Sequence, residues 1–171
     1  METKIIKIPS LDELVKDDGV SIVENNLMVL LNQQPPTAWI RKHPMSKTDY
    51  LPIERVEYLL SRIFVKWWVD ILDSKVLANS VVVTVRLNVI DPISKDVWHN
   101  DGIGAAPIQT NSGAGAMDWN AAKSDGVAKA APGAESYAIK DAADKFGKLF
   151  GRDLGRKNQI SYDSLLKETL N

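Results

Sequence analysis

The apolar positions of this chain change period twice, and the changes divide it into elements. From Ile53 to Ile63 they fall at Ile53, Val56, Leu59, Leu60 and Ile63, one face of a helix, behind Pro52 and an early Glu54 that suit a helix start. This predicts a helix over Pro52 to Phe64. The period then becomes two. Val65 to Leu72 puts Trp67, Val69 and Ile71 on one face, and Val81 to Val89 puts five apolar residues on one face with Thr84, Arg86 and Asn88 on the other. Beyond a connection at Asp91 to Lys95, Asp96 to Gly104 reads as a third strand, so the simplest arrangement is a three-stranded antiparallel meander. Helical spacing returns in Tyr137 to Gly155, where Ile139, Ala142, Ala143, Phe146, Leu149 and Phe150 share a stripe, with Lys140, Lys145, Lys148 and Arg152 assigned to the opposite side. Pro132 is tolerated in a first helical turn, so this helix is expected to begin after it.

The flanking segments are less regular. Ser10 and Glu13 form the pattern of a capping box, which predicts a short helix over residues 10 to 18. The apolar run Leu27 to Leu31 is stopped by Pro35 and Pro36, and Gln33 to Tyr50 reads as an irregular, exposed connection. Ala105 to Gly133, rich in Gly, Ala, Ser and Asn, reads as a long flexible loop whose Met117 and Trp119 form a candidate docking patch. Ser161 to Asn171 is a candidate short helix. The expected fold is α+β: a three-stranded antiparallel sheet packed on a long helix, with accessory N-terminal and C-terminal helices. The expected divisions are 1–38, a core over 39–157 and a tail over 158–171.

Composition narrows the class. With 171 residues, 44% apolar and 25% charged, the chain can bury one core but not two comfortably. The absence of cysteine excludes disulfides, thiolate metal sites and cysteine nucleophiles. No apolar run reaches the roughly 20 residues of a membrane span, and the first residues lack the apolar core of a signal peptide. A cytoplasmic protein without a membrane partner is the expectation.

Net charge is only −1, yet the charge is segregated. Lys140 to Lys157 holds six basic residues against three acidic ones, and Trp39 to Thr48 holds Arg41, Lys42, Lys47 and His43 with no acid. Glu2 to Glu24 reverses the bias, with three lysines against six acids. Two basic islands are therefore available to meet in space and hold a polyanion. Trp39 beside the first island is either a stacking platform for a base or a lid on the core.

Catalytic patterns are sparse. His99 and Asp101 offer two ligand types for a metal-dependent nuclease, but no further carboxylate cluster accompanies them. The serines lack a nucleophile elbow, and there is no phosphate loop ending in Gly-Lys-Ser or Gly-Lys-Thr. No catalytic residue, metal or cofactor is assigned, and binding is the function that remains.

The motifs Trp39-Ile40-Arg41-Lys42, Lys47-Thr48-Asp49-Tyr50, Val85-Arg86-Leu87, Asp101-Gly102-Ile103-Gly104 and AESYAIKDAADKFGKLFGRDLGR, in that order, resemble the Rad-fifty-two family of single-strand annealing proteins, most nearly its bacteriophage branch. The resemblance covers about Trp39 to Arg156. It implies a β-β-β-α core assembled into rings or open filaments, with single-stranded DNA in a basic groove and complementary strands paired without nucleotide hydrolysis. By motif it implies DNA contacts at Lys140, Lys47 and one of Arg41 and Lys42, with Lys145, Lys148 and Arg152 as further cations of the same groove. The family often has a second basic residue directly after the helix lysine. Here that position is Asp141, and the later basic position is shared between Asp144 and Lys145. The resemblance further implies a homo-oligomer working with a phage exonuclease and a single-strand binding protein. The alternative function is a nucleic-acid-binding module that coats strands without annealing them.

Overall fold

The computed structural model describes residues 24–155, apart from 45 and 116. The expected helices over 10–18 and 161–171 lie outside the described residues. Helix α1 (Glu24–Leu31) supplies Leu27, Leu30 and Leu31 to the same buried cluster as the sheet. Its last turn is closed by the Asn32 side-chain amide, which donates to the Met28 carbonyl at 2.9 Å. Two prolines then prevent its continuation.

The next stretch is more regular than its sequence pattern suggests. Strands β1 (Arg41–Lys42) and β2 (Asp49–Tyr50) form a small antiparallel ribbon, with Arg41 opposite Tyr50 and Lys42 opposite Asp49. An ion pair of 2.9 Å between Lys42 and Asp49 spans it. Two-residue strands are too short for alternation to reveal, so the expected irregular connection over 33–50 is corrected here. Helix α2 (Ile53–Ile63) matches its expected span, with Glu54 in its first turn and Arg62 in its last, both favourable to the helix dipole.

Strands β3 (Lys66–Leu77), β4 (Ser80–Ile90) and β5 (Val97–Pro107) form the antiparallel meander in the order β3-β4-β5. β4 is central, and its inward residues Val81, Val83, Val85, Leu87 and Val89 are buried. β3 runs five residues beyond the expected end at Leu72. A register shift between Ile71 and Asp73 marks a bulge, and that break in alternation hides the rest of the strand from a period-two reading.

Helix α3 (Gly126–Asp144) differs from expectation at both ends. Pro132 lies in its interior, not at its start. The alanine-rich turns around it favour helix strongly, and Ala130 and Ala134 are buried. The expected loop over 105–133 is correspondingly shorter, because its first three residues belong to β5 and its last eight to α3. Its two arms meet where Lys123 N–H donates to Gln109 O at 2.9 Å and Asn111 N–H to Ala121 O at 2.8 Å. At the other end the helix stops at Asp144, since Gly147 lies against the Leu31 carbonyl, where a side chain would collide. A 3-10 turn at Lys148–Phe150 follows, closed by Gly151 at φ 105°. Phe64, Phe146 and Phe150 pack as a ring cluster with centroids 5.3 to 6.5 Å apart, joining the end of α2 to this turn.

What seats α3 on the sheet is the smallness of both surfaces. Ala134, Ala138 and Ala142, one helical turn apart, lie against Gly102 and Gly104 of β5. A methyl group on Gly102 would come to 2.8 Å of the Ala142 Cβ and strike the Ala138 carbonyl, and one on Gly104 would strike the Ala134 carbonyl and the Ala138 nitrogen. The contact is backbone on backbone, so neither partner can give by turning a side chain. Gly104→Ala is therefore expected to cost at least about 3 kcal/mol in urea unfolding or to prevent folding. Gly115→Ala, which adds a methyl with nothing within 4 Å, should stay within about 0.5 kcal/mol of the parent.

Candidate nucleic-acid interface

The seating of α3 fixes where its cations point. Lys140 and Lys145 are five residues apart and so about 140° apart around the helix, which splits the expected single cationic face in two. On one side, Lys140 faces the ribbon and α2. Its ammonium lies 4.6 Å from the Tyr50 ring centroid and 5.8 Å from that of Tyr137. On the other side, Asp141 accepts a 3.1 Å hydrogen bond from the Ile103 N–H of β5. Lys145 there donates to the Asp101 carbonyl and pairs with Asp141 at 3.3 Å. Asp141 thus helps to dock the helix on the sheet edge.

Lys140 is the most perturbed cation of this surface. Burial pushes its pKa below the ordinary lysine range, against the opposing pull of Asp144 and Glu54. Glu54 also pairs with Arg41 at 3.6 Å. Arg41, Tyr50, Glu54 and Lys140 thus converge from the ribbon, the start of α2 and the C-terminal part of α3. Lys42 turns to Asp49. Lys47, at the tip of the ribbon with φ 58°, donates to the Pro44 carbonyl at 2.7 Å and remains exposed.

The remaining expected cations are distributed differently. Arg152 donates to the Lys145 carbonyl at 3.1 Å, which keeps it near Lys145 at the β5 edge. Lys148 is only 8% exposed and lies 3.8 Å from the Asp153 carboxylate. Because the helix ends before it, Lys148 belongs to the turn beneath Gly151 and does not extend a helical wall. Trp39 is partly buried and packs against the core, edge-on to Tyr58 at 5.8 Å, with the Arg55 guanidinium 4.9 Å from its ring centroid. Its core-lid role is evident from these contacts.

Tyr50, Glu54 and Tyr137 were not singled out as site residues by sequence. Each sits within a motif or helix that the sequence does mark, but only the fold brings all three to Lys140. On the outer face of the sheet, Asp101 is held by Arg86 through two hydrogen bonds of 2.7 and 2.9 Å, which lowers its pKa. Among the described residues, no group of three or more histidines and carboxylates is placed to hold a metal. No helix of the described residues is long and apolar enough to cross a membrane.

A three-stranded antiparallel sheet with one long helix seated on its backbone, and cations brought to that helix by a preceding ribbon, defines an α+β domain with a β-β-β-α core. A family model for the Rad52/22 family double-strand break repair protein matches residues 25–169. The chain belongs to that family, whose business is DNA recombination and repair. A comparison with curated proteins found no match.

Lys140 itself provides a test of the electrostatics. A lysine whose folded pKa is lowered costs stability while it is charged, and that cost is relieved as pH rises through the folded value towards the unfolded one. Lys140→Met should therefore be at least as stable as the parent at neutral pH. Its advantage in thermal unfolding should shrink as pH is raised into the alkaline range. A variant that is markedly less stable at neutral pH would contradict the assignment.

Proposed function

We propose that this chain binds single-stranded DNA through a surface centred on Lys140 and Arg41, and that oligomers of it anneal complementary strands without nucleotide hydrolysis, in the manner of the bacteriophage branch. The observation that carries the reading is the convergence of Lys140 with Arg41 and Tyr50, from segments far apart in sequence, in a family of double-strand break repair proteins. A lysine already desolvated and flanked by rings gains more from a phosphate than a fully hydrated one does. Phosphate contacts of this kind carry no sequence information and leave bases free to pair.

Two further features support the reading. Glu54 and Asp144 beside Lys140 oppose an anion, so a single site is expected to bind weakly and to release its strand readily. Many weak sites on one polymer suffice when they are linked. The far half of β3 supports such linkage, because Ile71, Leu72, Val76 and Leu77 are all exposed on a strand that, among the described residues, pairs only with β4. Edge strands of this kind pair readily with another chain. A ring or filament built through β3 would set the Lys140 sites side by side, and a phage exonuclease and a single-strand binding protein would supply and yield the strands.

Annealing of complementary oligonucleotides should be accelerated at low and moderate salt, and no acceleration at any protein concentration would reject the reading. Binding without acceleration would leave a coating protein. Glu54→Gln should tighten single-strand binding roughly two- to fivefold by removing the competing carboxylate. In sedimentation, Ile71→Lys with Val76→Lys should shift the protein to smaller species while unfolding remains cooperative.

A further inference from the structure

We infer that Tyr137 is a base-stacking residue beside Lys140 and the group that makes this site prefer single strands to duplex. The inference rests on the reading of Lys140 as a phosphate contact. Tyr137 precedes Lys140 by three residues on α3 and therefore shares its side of the helix. The ammonium lies near two rings, 4.6 Å from the Tyr50 centroid and 5.8 Å from that of Tyr137. The two rings differ in access. Tyr50 is half-buried in the ribbon with His43 edge-on at 6.2 Å, whereas Tyr137 is 46% exposed.

The other large rings near the cations or on the sheet are engaged or misplaced. Trp39 has Arg55 over its ring and the core beside it. Trp67 packs against the core, so Trp68, its neighbour in β3, projects from the opposite face of the sheet, away from α3. Tyr137 stands on a stiff base, because Ala134 and Ala138 on either side of it are pressed against Gly104. With its backbone fixed, the ring has only its two side-chain torsions to lose when a base settles on it, a small cost for a stacking platform.

The consequence is selectivity. A phosphate bound at Lys140 brings the adjoining nucleotide next to the Tyr137 ring, and a base in a single strand has a face free to meet it. In duplex both faces are already stacked, so duplex can offer the phosphate but not the base. Phosphate contact supplies the salt-dependent part of binding and Tyr137 the part that depends on bases. The two parts are separable because stacking releases no counterions.

The experiment compares the full chain with Tyr137→Ala, Tyr137→Leu, Tyr137→Phe and Lys140→Ala. Binding is followed by fluorescence anisotropy over a salt series, with a short single-stranded oligonucleotide, an abasic strand of equal length and a duplex as probes. Tyr137→Ala and Tyr137→Leu should each weaken binding to the base-bearing strand roughly tenfold. They should leave the salt slope and the affinity for the abasic strand as in the parent, and bring single-strand and duplex affinities together. Tyr137→Phe should keep the parent preference. Lys140→Ala should lower the salt slope by about 0.7 on single strands.

If both Tyr137 variants bind the base-bearing strand as the parent does, or lose the abasic strand equally, the stacking role is overturned while the Lys140 slope still stands. If Lys140→Ala leaves the slope unchanged, or the parent binds no single strand, the underlying reading fails and the inference fails with it. Tyr137→Leu keeps bulk on the helix surface, so a loss common to it and Tyr137→Ala cannot be assigned to a poorly folded alanine variant.

Discussion

Everything in this domain follows from how closely α3 lies on β5. Gly102 and Gly104 have no side chains, and the helix presents Ala134, Ala138 and Ala142 to them, so backbone meets backbone. Close-packed interiors leave no room for slippage at such a contact. The helix is thereby fixed in rotation as well as position, and the hydrogen bond from Ile103 N–H to Asp141 locks the same setting from its flank. Rotational setting decides chemistry here. It sends Lys140 and Tyr137 towards the ribbon and α2, and Lys145 towards the β5 edge. Larger residues at the alanine positions would lift the helix and separate Lys140 from Tyr50, even with every cation still in the sequence.

Much of the fold can be read from local periodicity. The alternation Val81, Val83, Val85, Leu87, Val89 marks β4 because it is the central strand with one face covered, and the spacing of Val56, Leu59, Leu60 and Ile63 marks α2 for the same reason. The errors occur where a distant contact overrules a local pattern. Phe146, Leu149 and Phe150 continue the helical spacing of α3, but Gly147 must lie against the Leu31 carbonyl, and nothing near Gly147 in sequence records Leu31. That contact ends the helix and turns Lys148 inward to Asp153. Pro132 reads as a boundary by local rules, yet the burial of Ala130 and Ala134 carries the helix through it. The last five residues of β3 escape the alternation because a bulge of one residue interrupts it.

The candidate site is legible in its residue types but not in its arrangement. Residue type and clustering identify Arg41, Lys42, Lys47, Lys140, Lys145, Lys148 and Arg152 as a cationic set, but not which of them share a surface. Of these, Arg41 and Lys140 share the Glu54 carboxylate, Lys140 lies against the Tyr50 and Tyr137 rings, and Lys47 is exposed at the ribbon tip. Glu54 and Tyr137 escape the sequence reading because an acid in a first helical turn and a tyrosine on a helix both have sufficient local explanations. A signal was present nonetheless: glycine at 102 and 104 with period two, and alanine at 134, 138 and 142 with period four, together specify a close helix-on-strand contact and hence the helix face left over.

The electrostatics of this surface set a charged group against its own solvation. Lys42 has Asp49, Lys145 has Asp141, and Arg41 has Glu54. Lys140 has the pull of Glu54 and Asp144, but burial outweighs it and leaves the pKa lowered. A phosphate arriving there offsets a cost the folded protein already carries, whereas one arriving at a satisfied ion pair must first displace a carboxylate. In the proposed reading, Lys140 therefore contributes affinity while the surrounding acids keep each contact short-lived. That combination suits a surface on which strands must be held long enough to meet and then leave as duplex. In the same proposed reading, assembly through the exposed edge of β3 would provide the multiplicity that makes brief contacts add up.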